Sequence, residues 1–191
     1  MTRNRLFALA SLTAVAMVPA LAMAHPGHGV GQNFVAGMMH PLTGLDHILM
    51  IVAVSAWAGA MPRTGRVIVP ACLAVFVAIG ALAPVQISGP ALEASVALTV
   101  MGAGMLLALG HRWPTWATAV LAALFALIHG FAHGAEGPME SLTYVPGLAA
   151  ATGGLALAVS FLAAGLQSHR GWMRSIGLAS ATFGVVALFN A

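Results

Sequence analysis

Residues 33–191 alternate long apolar runs with short breaks made of glycine, proline and charged residues. A helix that crosses a hydrocarbon core of roughly 30 Å takes about 20 apolar residues. Six runs fit that requirement, over residues 33–61, 67–83, 90–109, 115–134, 145–166 and 172–190. The joints hold helix breakers: Pro62 with Gly65, then stretches 84–90, 110–114, 134–138 and 168–171. Pro90 suits the first position of the third helix, where a missing N–H leaves no bond unmade. The pattern predicts an all-α polytopic membrane protein, a bundle of six transmembrane helices.

The start of the chain follows a different pattern. Arg3 and Arg5 precede an apolar stretch over 6–18, and Ala22, Met23 and Ala24 form a small-x-small cleavage site. Residues 1–24 therefore read as a secretory signal peptide, with an uncleaved first helix as the competing reading. Residues 25–191 then form the six-helix domain, beginning His25-Pro26-Gly27-His28. Composition agrees with lipid as the solvent: 60% of the chain is hydrophobic and 6% charged, too apolar for a soluble core of this size. A single cysteine, Cys72, excludes an intrachain disulfide and a cysteine-rich metal cluster.

Charge placement sets orientation. Arg63 and Arg66 lie in the first loop, Arg112 in the third, and Arg170 and Arg174 in the fifth, while the second and fourth loops have no arginine. The positive-inside rule puts the arginine loops in the cytoplasm, and a cleaved signal independently puts the mature N-terminus outside. Both termini are expected in the periplasm of a bacterial inner membrane. The net charge of +3 comes from seven arginines against four acids, and no nucleic-acid partner is expected. Glycine-rich faces in the third and fifth spans favour close helix packing and leave homo-oligomerisation open. No inverted repeat of three plus three spans is apparent, since the two histidine motifs do not occupy matching positions in the halves.

Against this apolar background the ionisable residues stand out. His40, Asp46 and His47 fall in the outer half of the first span, His40 and His47 seven apart and so nearly on one helical face. Pro41 and Gly44 are expected to bend or break the helix between them. His129 and His133, four apart, share a face near the outer end of the fourth span, and Glu136 follows near the mouth. Glu93 opens the third span at the same level. An ionised carboxylate near a bilayer centre costs about 2.5–3.5 kcal/mol, so these groups should face one another or a water-filled cavity. Imidazoles with carboxylates suit Ni²⁺, Co²⁺, Zn²⁺ or Fe²⁺. Metal binding needs neutral imidazoles, so affinity should fall as pH drops toward about 6.

Each group also has a plainer reading. His40 can be an interfacial histidine bonded to water, Asp46 with His47 an interhelical hydrogen bond, and His129 with His133 helix-end packing. Glu136 can be a solvated loop acid and Glu93 a charge favoured by the helix macrodipole. His111 and His169 sit beside arginines as loop residues, and His25 and His28 either capture metal at the mouth or form a polar start.

The stretches His40-Pro41-Leu42-Thr43-Gly44-Leu45-Asp46-His47 and His129-Gly130-Phe131-Ala132-His133-Gly134-Ala135-Glu136 resemble the motifs of the HupE/UreJ family. These are secondary nickel permeases, some tied to cobalt, linked to hydrogenase or urease maturation. The resemblance extends over the whole chain. It implies that His40, Asp46, His47, His129, His133 and Glu136 recognise and pass a metal ion, with Ni²⁺ or Co²⁺ as transported substrate and no resident cofactor. Two other functions use the same residues. One is an intramembrane metal-dependent hydrolase with a metal-activated water. The other is a metal sensor or assembly factor, weakened by the lack of a sizeable soluble output domain. No nucleotide-binding glycine loop is present to couple transport to ATP.

Overall fold

The computed structural model describes residues 33–83, 89–136, 143–168 and 170–191, without the side chains of Glu136 and Arg170. The expected signal peptide, His25, His28, Glu140 and His169 lie outside the described residues. Among the described residues every regular element is helical. In chain order these are α1 (Phe34–Met39), a 3-10 turn (His40–Leu42), α2 (Leu45–Ala58), α3 (Gly65–Leu82), α4 (Pro90–Leu109), α5 (Thr115–Glu136), α6 (Tyr144–Gly165) and α7 (Arg170–Leu188).

Five helices, α3 to α7, are long and apolar enough to cross a membrane. The run expected over 33–61, with a bend or break at Pro41 and Gly44, is two helices bent by 77°, and only the pair together would count as a sixth span. The break has a local cause. Pro41 brings no N–H to the ladder, and the Thr43 hydroxyl and N–H both donate to the His40 carbonyl, at 2.8 Å and 3.0 Å. Gly44 then takes an extended backbone with ψ 123°, and α2 restarts with the Ile48 N–H on the Gly44 carbonyl at 3.1 Å.

α2 is the central helix, with nine of its 14 residues buried, from His47 to Ala58. It is apolar all round because α4, α6, α3 and α7 surround it. The helices around it pair with one another through glycines. α3 crosses α5 where Gly80 and Gly130 face each other, so that a methyl on either would lie within 2.8 Å of the other's Cα. α4 crosses α7 at Gly104 and Gly177, and α1 crosses α6 at Gly37 and Gly147, where an added methyl would overlap the partner's carbonyl. Small residues let these backbones approach as lipid-solvated helices must, by packing rather than by a hydrophobic driving force.

The two ends of the bundle differ. At one, the Trp57 indole donates to the His111 carbonyl at 2.7 Å and packs edge-on to Trp113 at 5.6 Å, joining the last turn of α2 to the third loop. Trp113, Trp116 and Trp172 are exposed at this end, the pattern of an interfacial aromatic belt. The opposite end holds His40, Asp46, His47 and Tyr144.

Candidate metal centre

The bend after α1 is what builds the site. On one continuous helix, seven residues would separate His40 and His47 by about 10 Å along the axis. The break folds the turn back over the start of α2, and the two rings lie 6.0 Å apart between centroids. The near-eclipsed arrangement expected from the spacing is therefore replaced by a closer one, made by the 77° bend.

α5 supplies the other two rings. Its repeat of His-Gly at 129–130 and 133–134 divides the labour between adjacent faces: Gly130 and Gly134 lie against Gly80 and Ala81 of α3, while His129 and His133 turn to α2. His47 is the hub, 4.4 Å from His133 and 4.9 Å from His129 between ring centroids. His40 is 4.5 Å from His133 and 5.8 Å from the Tyr144 ring at the start of α6. His47, His129 and His133 are buried, and His129 has no exposed surface.

Asp46 and His47 occupy the first turn of α2, where a carboxylate is favoured by the helix dipole. His47 Nδ1 lies 2.8 Å from Asp46 Oδ1. An ionised carboxylate only accepts, so Nδ1 carries the proton and Nε2 keeps its lone pair. That Nε2 is buried with no hydrogen-bond partner. Gly44 leaves the space above this pair: a methyl there would lie 2.5 Å from His47 Nδ1 and 2.8 Å from Asp46 Oδ1.

Asp46, His47 and His129 each offer a donor atom, and the three atoms lie within 4.8 Å of one another. A divalent ion with nitrogen and oxygen ligands needs such convergence. Carboxylate, imidazole and ion in series is also the usual way a protein orients a metal-binding histidine.

A match to the family described as HupE / UreJ protein covers residues 13–187. This chain belongs to the HupE/UreJ family. Among relatives, Protein HupE of Rhizobium leguminosarum bv. viciae is 38% identical over 176 residues, which span 91% of this chain and 83% of that protein. No solved structure matches.

Of the six residues singled out in this HupE/UreJ chain, five come together: His40, Asp46, His47, His129 and His133. Glu136 closes α5, and its side chain lies outside the described structure. Glu93 is exposed in the first turn of α4, as a macrodipole charge would be. Two residues escaped the sequence reading. Thr99 of α4 has its hydroxyl 2.8 Å from His129 Nε2. Tyr144 packs edge-on to His40. The available signals were a lone threonine in the third apolar run and the chain's single tyrosine.

Proposed function

We propose that the protein is a secondary transporter that takes up divalent nickel, or cobalt, across the bacterial inner membrane for metalloenzyme maturation, and that it is not an enzyme. The observation that carries this reading is the convergence of four imidazoles and one carboxylate, from two motifs about 80 residues apart in sequence, around His47. Membership of the HupE/UreJ family supports it. In this reading the bent pair α1 and α2 counts as the first of six crossings, and both termini are periplasmic. Residues 1–24 are a cleaved signal peptide.

The ion enters from the periplasmic end, exchanges water for imidazole nitrogens and the Asp46 carboxylate, and leaves inward when the bundle rearranges. Glu136, at the end of α5, belongs to the mouth. An inside-negative potential favours entry by about 2.3 kcal/mol per charge per 100 mV, hence about 4.6 kcal/mol for a dication. Borderline imidazole and carboxylate donors match Ni²⁺ and Co²⁺ better than they match Cu(I), which prefers thiolates.

The test is influx into liposomes that contain the purified protein and a trapped metal-responsive dye. Ni²⁺, Co²⁺ and Zn²⁺ are compared, with His47→Ala and His133→Ala as variants. Metal-selective influx lost in both variants is the expected result. Tight binding without influx would replace transport by sensing, and turnover of lipid or peptide would replace it by hydrolysis.

A further inference from the structure

His129 is fully buried in α5, and its two ring nitrogens have unlike surroundings. Nε2 lies 2.8 Å from Thr99 Oγ1, while Nδ1 is buried with no hydrogen-bond partner. The threonine hydroxyl has one proton to give. It gives it to the Val96 carbonyl of its own helix, at 2.6 Å. Toward His129 the oxygen can then only accept, so Nε2 must carry the imidazole proton and Nδ1 must carry the lone pair.

We propose that Thr99 is a positioning residue that sets the tautomer of His129, so that Nδ1 is the atom offered to the ion. His129 belongs to the triad of residues whose donor atoms converge within 4.8 Å. It thus mirrors His47, which Asp46 fixes with the lone pair on Nε2. Two imidazoles from different helices are each held by one polar neighbour, a carboxylate on one and a hydroxyl on the other. An unpartnered buried nitrogen is unfavourable, and an arriving cation relieves it. The neutral hydroxyl also differs in kind from the carboxylate: it orients the ring without adding negative charge to the pocket. The tautomer assignment stands on the hydrogen bonds alone, whereas its role toward an ion rests on the metal-transport reading.

The experiment separates the two. Full-length protein with ¹⁵N-labelled histidine is prepared in nanodiscs without metal, and the His129 signals are identified by their loss in His129→Gln. Two-bond proton–nitrogen correlations are expected to show Nε2 protonated and Nδ1 bare, in wild type and in Thr99→Ser. In Thr99→Val, which keeps the shape and removes the hydroxyl, the fixed pattern is expected to be lost. Ni²⁺ affinity, measured by titration, is expected to fall about tenfold in Thr99→Val and to recover in Thr99→Ser. A wild-type His129 protonated on Nδ1, or a pattern and affinity unchanged in Thr99→Val, would overturn the proposal. The wild-type spectrum decides the tautomer even where the valine variant fails to fold. Wild-type protein that shows the expected tautomer but admits no Ni²⁺ into liposomes would sink the transport reading and leave the role of Thr99 in fixing His129 intact.

Discussion

His47 meets the rings of His40, His129 and His133, and its orientation depends on one carboxylate oxygen 2.8 Å away. Asp46→Asn keeps the shape but lets an amide N–H face Nδ1, which would favour the opposite tautomer and leave Nε2 protonated. Ni²⁺ affinity is expected to fall between about tenfold and a hundredfold, by titration, with an unchanged unfolding temperature. Gly44→Ala attacks the same pair sterically, since the atoms nearest the added methyl are side-chain atoms of Asp46 and His47. These side chains can swing away, so the expected outcome is normal folding with initial uptake rates down at least about tenfold. Much of this site was legible in the sequence, because an acid or an imidazole inside an apolar run is unfavourable unless it is partnered. Thr99 was not, because a hydroxyl in a membrane helix satisfies itself on a carbonyl of its own helix, as this one does with Val96. Only the fold reveals that the same oxygen has a second partner 30 residues away in sequence.

Helix pairing decides where those side chains meet, and it is written in glycines. Gly130→Ala would put a methyl against the Val77 carbonyl and the Gly80 Cα, backbone atoms that cannot rotate aside. Overpacking of this kind destabilises by about 1–3 kcal/mol. The adjacent His129 must move with the displaced helix, so both the thermal unfolding temperature in detergent and the Ni²⁺ affinity are expected to drop. Gly154→Ala is the control, with nothing within 4 Å of the added methyl. It should be neutral or slightly stabilising, by up to about 1 kcal/mol, since alanine favours a helix. From sequence, the runs and most joints were readable, and so was the break at Pro41 and Gly44, because each has a local cause. The 77° angle of that break was not. It depends on where α1 comes to rest against α6 through Gly37 and Gly147, a contact between segments more than 100 residues apart. A small-residue face announces close packing but does not name the partner helix.

Across the whole bundle, one end collects tryptophans and arginine loops while the other holds the histidine cluster, and in the proposed reading the transport direction depends on which end faces the cytoplasm. The link between Trp57 and His111 sets the end of α2, which leads into the first loop, against the third loop, so Arg63, Arg66 and Arg112 share an end in space as well as by the count of crossings. In the proposed orientation the arginine loops are retained on the cytoplasmic side during insertion, which would leave the His47 cluster on the periplasmic side. Starting from Cys72→Ser, a cysteine at Arg112 should react with an impermeant maleimide only when the cytoplasmic face is opened, and a cysteine at Asn190 in intact spheroplasts. The reverse labelling would place the cluster at the inner face and overturn entry through it from the periplasm, although an inside-negative potential would still favour inward movement of a dication. With the expected labelling, the same potential acts as a drive for uptake: imposing about 100 mV, negative inside, on proteoliposomes should raise the initial Ni²⁺ rate and collapsing it should lower it, provided a net charge crosses with each ion. A rate indifferent to the potential would mean that counter-moving protons or co-moving anions neutralise the dication. With protons, a pH difference across the vesicle, rather than voltage, should control influx.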